Sequence, residues 1–259
     1  MKSLVSLEID GDIAVVTLNK PDRLNAMSES MWRNLSKVLN ECDADRDLRC
    51  VIIRGAGRRA FCAGADIKEF KTTRKDKNSA LSYGKLMTQG FSSIIECRHP
   101  VVAQINGVCI GGGLGIASCC DIRICGLSSK FGVPVKKLGL VEAHEEMRPL
   151  VEKFGANVAL EILLVGDVFP VADALRMGLI NHVTPDDQVA AAARQYAKKI
   201  ADGAPLSARW HKKFIYRLLS PAPLTDAEIE EGFDCYNTED FQAGRRAFEK
   251  KSVPEFFGR

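Results

Sequence analysis

Four glycines fall among the five residues from Gly111 to Gly115, within VCIGGGLGIA, directly after an apolar run and directly before a segment able to continue as helix. Few places in a fold accept such a run. Glycine has no Cβ, so backbone packs on backbone and main-chain N–H groups approach a ligand closely. A helix starting there adds partial positive charge aimed at an anion. The same order recurs at CAGAD, Cys62 to Asp66, after an apolar strand-like segment and before IKEF, with Asp66 suited to a helix start. Repeated strand, glycine turn and helix predict an α/β core of repeated units.

The rest of the chain fits that plan. Val5 to Asn19 alternates about Asp10-Gly11, a strong hairpin signal, so two antiparallel strands open the protein. Ser28 caps a helix whose apolar residues Met31, Leu35, Val38, Leu39 and Cys42 keep helical spacing. CVIIRGAG, VVAQING, DIRICG and KFGVP read as strands, KTTRKDKNS as a charged loop, and Ala80 to Glu96 as a helix. Beyond Gly139 the pattern is mainly helical: EEMRPLVEKFG, ANVALEILLVG, VADALRMGL and DQVAAAARQYAKKIADG, the last closed by Gly203 and Pro205. The expected division is an α/β core over residues 1–200 and a helical C-terminal region over 201–259.

Composition narrows the function. A net charge of +3 without a basic tract argues against nucleic acid as partner. No apolar stretch approaches the ~18 residues of a membrane span, and no secretory leader precedes the first strand. Nine cysteines, an odd number scattered through apolar segments and without a CxxC pair, suit a reducing, cytoplasmic setting rather than a disulfide framework. The dinucleotide fingerprint fails, because Gly113 and Gly115 are followed by Ser118 at the sixth position. The phosphate loop G-x-x-x-x-G-K-[ST] and the nucleophile elbow G-x-S-x-G are absent too. Two readings of the glycine turns stay open: free N–H groups converging to stabilise an oxyanion, or glycines that only relieve crowding where helix packs on strand.

GAGRRAFCAGADIKEF (Gly55 to Phe70), taken with HPVVAQINGVCIGGGLGIASCCDIRIC (His99 to Cys125), resembles the paired signature of the crotonase superfamily, the enoyl-CoA hydratases and isomerases. The likeness runs from NKPDRLNAMS (Asn19 to Ser28) to the closing GRRAFEKKSVPEFFGR (Gly244 to Arg259). It implies a crotonase-like spiral of β-β-α units with a helical C-terminal region, assembly as a homo-trimer or hexamer, and an acyl-CoA thioester as substrate. Coenzyme A is then part of the substrate, and no separate cofactor or metal is expected. By matching position, the backbone N–H groups of Ala63 and Gly112 become the oxyanion donors for a thioester enolate, with Gly64 and Gly111 beside them. The resemblance further implies that Ala65, Asp66 and Ile67 line the adenine and pantetheine path. It puts Arg23 and Leu24 near the phosphates, and has Phe248 and Lys251 reach a neighbouring subunit's ligand. Lys68, Lys71, Arg74, Lys75 and Lys77 either attract those phosphates or form a solvated charged loop.

The chain departs from the family pattern where acid/base chemistry belongs. The glutamate of the glycine turn is replaced by Gly115, and the glutamate of the F-G-x-P-E slot by Val135. The aspartate that some relatives use further on falls on Ala143. That neighbourhood instead reads VEAHEEMR, so Glu142 and His144 are the candidate replacement acid or base. The alternative is that Glu142, Glu145 and Glu146 merely begin a surface helix. HEEMR is not a zinc motif, since Arg148 stands where a second histidine belongs. His99, His182 and His211, like Tyr83, Glu96 and Asp121, carry no functional expectation. An acyl-CoA hydratase or isomerase leads. A malonyl-type acyl-CoA decarboxylase, whose enolate forms without a base, and a catalytically silent acyl-CoA-binding protein remain as alternatives.

Overall fold

The computed structural model describes residues 3–259. Its strands are β1 (Val5–Asp10), β2 (Ile13–Leu18), β3 (Cys50–Gly55), β4 (Ala60–Cys62), β5 (Val101–Ile105), β6 (Val108–Ile110), β7 (Ile122–Gly126), β8 (Lys130–Gly132), β9 (Phe169–Pro170) and β10 (His182–Thr184). The helices are α1 (Glu29–Ala44), α2 (Phe70–Thr73), α3 (Lys77–Ile95), α4 (Gly112–Cys119), α5 (His144–Leu160), α6 (Val171–Arg176), α7 (Val189–Ala201), α8 (Pro205–Leu218), α9 (Asp226–Glu231) and α10 (Glu239–Lys250). Among the described residues no helix is long and apolar enough to cross a membrane.

Two sheets result. One has the order β1-β2-β3-β5-β7-β10 and the other β4-β6-β8-β9. The chain steps between them: β3, β5 and β7 enter the larger sheet, and each is followed within a few residues by a short strand, β4, β6 or β8, of the smaller. Helical segments then carry the chain to the next turn of the spiral. All contacts between β2, β3, β5, β7 and β10 are parallel, and only the opening β1–β2 hairpin adds an antiparallel edge to that sheet. Its turn follows the sequence signal, with Asp10 opposite Ile13 and Gly11 at φ +65°.

Strand alternation distributes the core between two faces. Val51 and Ile53 of β3 point to the main core with α1, α3 and α4, whereas Cys50 and Ile52 face the stripe Ala193, Ala197 and Ala201 of α7. In the main core α1 and α3 approach closely. A Cβ on Gly90 would lie 2.6 Å from the Trp32 ring, so only glycine permits that spacing. Trp32 then meets Phe91 edge-on, with centroids 5.5 Å apart.

Two expectations need correction. Lys71 to Ser79 is not a loop throughout: α2 runs to Thr73, and α3, capped by Asp76, begins at Lys77, three residues before the expected Ala80. The cause is a reciprocal cap, in which the Asp76 carboxylate accepts from the Ser79 N–H and the Ser79 hydroxyl accepts from the Asp76 N–H. The short strands of the smaller sheet are also more distinct than the sequence suggests. Elsewhere the helical reading beyond Gly139 holds. Gly155, at φ +83°, parts the two expected helices EEMRPLVEKF and ANVAL. All nine cysteines are unpaired, and burial pushes the thiols of Cys42, Cys50 and Cys62 up to about 12.

Candidate active site

The site begins with the chain leaving β4. The chain bends at Gly64, φ +96°, and Ala65 then bridges to Met27, whose N–H donates to the Gly64 carbonyl (2.7 Å) and whose carbonyl accepts from the Asp66 N–H (2.9 Å). Met27 thus engages the groups on either side of Ala65 and not the Ala65 N–H itself. That N–H has no acceptor among the described residues. The expected donor Ala63 is different. Its N–H donates to the Leu24 carbonyl at 3.0 Å and is already engaged, so the available donor of this turn is Ala65.

The second turn leaves β6. Gly111 takes φ +53° and ψ −123° at the N-cap of α4, a left-handed setting suited to glycine, and its N–H donates to the Gly132 carbonyl at 2.8 Å. Gly112 is the first residue of α4. Its N–H is one of the donors that a helix start cannot satisfy internally, and no other described residue accepts from it. The two turns touch. A Cβ on Gly64 would lie 3.1 Å from the Ile110 carbonyl oxygen and 3.7 Å from the Gly112 nitrogen. Two unsatisfied N–H groups and a helix start thereby meet on one surface, the arrangement that receives an oxyanion.

That surface is the wall of a cavity of about 140 Å³, with Trp32, Tyr83, Val135, Leu138 and Glu142 around it. Tyr83 and Trp32 form a fixed floor. The Tyr83 hydroxyl accepts from Trp32 Nε1–H (3.0 Å) and donates to the Met27 carbonyl (3.2 Å). A smaller hollow of about 20 Å³ shares Gly111, Gly112 and Glu142 with it and adds Gly115 and Glu146. Half-buried Glu142 therefore reaches the surface that carries the free Gly112 donor. Burial, then repulsion from Glu146 and a carboxyl–carboxyl hydrogen bond with it, push the Glu142 carboxyl from 4.5 up to about 7, against the opposing pull of Arg74. Glu146 is tied back, its Oε2 accepting from the Ala143 N–H at 3.0 Å.

The remaining candidates separate. Gly64, Gly111 and Ile67 line the cavity with Ala65 and Gly112, and Ile67 is 68% exposed at its rim. Asp66 is 8% exposed and does not line it. Its carboxylate accepts from Lys20 (2.8 Å) and from the Lys68 N–H (3.1 Å), which hold it below the usual carboxylate range. His144 is the exposed first residue of α5 and lies outside both hollows, so the structure does not bring it beside Glu142 in the cavity. Arg23 is exposed and Leu24 half-buried, and neither reaches the cavity wall. Phe248, 87% exposed, and Lys251 sit on and just after α10, likewise away from it. Arg148 pairs with Glu145 and Glu152 on the surface of α5.

Trp32, Tyr83 and Arg74 are among the cavity residues that sequence reasoning missed. Trp32 falls at core spacing within α1, and Tyr83 has no motif around it. Arg74, expected either to attract phosphates or to sit in a solvated loop, is the C-cap residue of α2 with its guanidinium over the rings of Phe70 (5.1 Å) and Tyr83 (5.0 Å). The charged residues around it give no local sign of that contact.

Residues 8–259 match the family model described as enoyl-CoA hydratase/isomerase. The chain belongs to the enoyl-CoA hydratase/isomerase family. It is similar to a short-chain-enoyl-CoA hydratase of Clostridium acetobutylicum, 33% identical with 98% of each chain covered. An (E)-benzylidenesuccinyl-CoA hydratase of Thauera aromatica is 31% identical, with 98% of this chain and 99% of the relative covered. Among solved structures, an enoyl-CoA hydratase/carnithine racemase from Magnetospirillum magneticum superposes with a TM-score of 0.98 at 42% identity, covering 100% of this chain and 97% of that one. This member of the enoyl-CoA hydratase/isomerase family is therefore an acyl-CoA enzyme with the crotonase fold.

Proposed function

We propose that the protein moves a proton along a short enoyl-CoA thioester, shifting the double bond between the 3,4 and 2,3 positions, with Ala65 and Gly112 holding the enolate oxygen and Glu142 carrying the proton. The observation that supports this most directly is the single carboxyl group of Glu142 at the cavity that also presents the Gly112 donor. An ionised Glu142 takes a proton from the α-carbon, electrons pass into the thioester carbonyl, and two N–H donors stabilise the resulting dienolate. The same carboxyl group then returns the proton to C4. The reaction closes without water, so one acid/base group suffices, and a carboxyl poised near 7 is available in both states at neutrality.

Hydration asks for more, a positioned water and a second carboxylate, and neither Gly115 nor Val135 supplies one. Coenzyme A enters as part of the substrate and no resident metal or cofactor takes part in the scheme. We further propose assembly as a homo-trimer or hexamer, in which Phe248 and Lys251 meet a neighbouring copy.

A panel of 3-hexenoyl-CoA, crotonyl-CoA and methylmalonyl-CoA, run beside calorimetric binding of butyryl-CoA, tests the reading. Isomerisation of 3-hexenoyl-CoA is expected to exceed hydration of crotonyl-CoA by at least ~10²-fold, the usual contribution of one general acid or base. Crotonyl-CoA hydration near ~10 s⁻¹, a median enzymatic rate, overturns the one-carboxylate scheme. Loss of carbon dioxide from methylmalonyl-CoA alone transfers the assignment to a decarboxylase. Tight thioester binding with no turnover makes it a silent acyl-CoA binder.

A further inference from the structure

Arg74 is the one cationic side chain on the wall of the cavity among the described residues, and it has no counter-ion there. Its Nε is buried with no hydrogen-bond partner among those residues. The guanidinium carbon lies over the rings of Phe70 at 5.1 Å and Tyr83 at 5.0 Å, and Tyr83 is itself fixed by Trp32 and Met27. The planar fork of a guanidinium held in this way matches a carboxylate. A buried donor left unpaired is costly, and a ligand supplying the acceptor removes that cost.

The obvious internal partner does not take that place. Glu142 shares the cavity with Arg74, yet no ion pair joins them, and Glu142 also lines the smaller hollow with Glu146. The rest of that wall is largely apolar, with Val135, Leu138, Leu140 and Met87, so nothing else on it offers Arg74 a negative charge, and Asp76, Glu145 and Glu146, which share an outer hollow with Arg74, form no ion pair with it. A small, largely apolar chamber whose one guanidinium forms no ion pair suits an acyl group that brings an anion of its own.

We propose that Arg74 is a specificity-determining residue that receives a carboxylate on the acyl group, so that the substrates are short acyl-CoA thioesters bearing a second, free carboxylate. This deepens the acyl-CoA reading given above and rests on it. In the complex the Arg74 edge donates to the distal carboxylate while the thioester oxygen faces Ala65 and Gly112. A neutral acyl group of equal length would leave Arg74 unpaired.

The test is a binding comparison that needs no turnover: calorimetry with glutaryl-CoA and with valeryl-CoA, a matched acidic and neutral pair, on the wild-type protein and on Arg74→Gln and Arg74→Lys. Wild type is expected to bind glutaryl-CoA ~10- to ~100-fold more tightly than valeryl-CoA, the range for a hydrogen bond to a charged group. Arg74→Gln should bring that ratio close to one, and Arg74→Lys should restore part of it, since lysine keeps the charge and loses the bidentate edge. Equal wild-type affinities, or a ratio that survives in Arg74→Gln, overturn the proposal while leaving the acyl-CoA site intact. A matched weakening of both ligands in Arg74→Gln with the ratio unchanged makes Arg74 a support for the aromatic floor and likewise overturns it. If neither thioester binds the wild-type protein, the acyl-CoA reading falls and this proposal falls with it.

Discussion

Glu142 shows how neighbours decide the chemistry of one side chain. On an open helix it would be an ordinary carboxylate; here burial and the adjacent Glu146 push it up to about 7. Isomerase kcat is therefore expected to rise with pH through about 7 as Glu142 ionises and then to level off. Glu142→Gln keeps the size and loses the proton, so kcat should drop ~10²–10⁴-fold with little change in butyryl-CoA affinity. Stability has its own pH signature. A carboxyl whose value is raised on folding binds more protons in the folded state between 4.5 and about 7, so stability declines as pH rises across that window. Melting curves should show Glu142→Gln gaining on wild type from pH 4.5 to 7 and no further above it. A difference that does not vary with pH would place Glu142 in open solvent.

Helix α4 joins the fold to the chemistry, because its first residue carries the proposed donor and its next turn packs on α3. Gly112→Pro deletes the Gly112 N–H at a helix position that tolerates proline best. With the fold confirmed by circular dichroism, turnover is expected to fall at least ~10²-fold, and unchanged turnover would exclude this donor. One turn on, Gly115 is closely packed: a Cβ there would lie 2.5 Å from the Phe91 ring. Phe91 in turn is fixed against Trp32. Gly115→Glu is thus expected to lower the melting temperature without restoring crotonyl-CoA hydration, whereas pairing it with Phe91→Ala should relieve the clash and recover part of the lost stability.

At the scale of the molecule, the C-terminal helices attach to the core at one end and leave apolar surface at the other. Lys212 of α8 is buried, donating to the carbonyls of Ile94 and His99 and pairing with Asp121 at 3.0 Å. Farther along, Phe233, Tyr236, Phe248 and Val253 are largely exposed. Large apolar side chains left exposed on these C-terminal segments suit contacts between copies. Sedimentation is expected to show trimers or paired trimers, and Phe248→Glu to shift the distribution toward smaller species. A wild-type monomer at micromolar concentration would remove the role given to Phe248 and Lys251.

Local pattern carried the elements whose causes are local. The Asp10-Gly11 hairpin, the Ser28 cap that receives the Met31 N–H, the break at Gly155 and the glycine-led start of α4 each depend on a few adjacent residues, and all are legible in the chain. Resemblance supplied the spiral, and the changed residues at 115 and 135 were visible as departures from it. Tertiary structure decided the rest, because it turns on direction and on distant neighbours. Ala63 and Ala65 are equivalent in a string of letters, but the hydrogen bonds of Leu24 and Met27 engage one N–H and leave the other free. Glu142 and His144 lie two residues apart, yet only the carboxyl group faces the cavity, since the chain turns into α5 between them. Arg74 stands among charges in sequence and between two aromatic rings in space, a change of surroundings made only when α2 and α3 fold together.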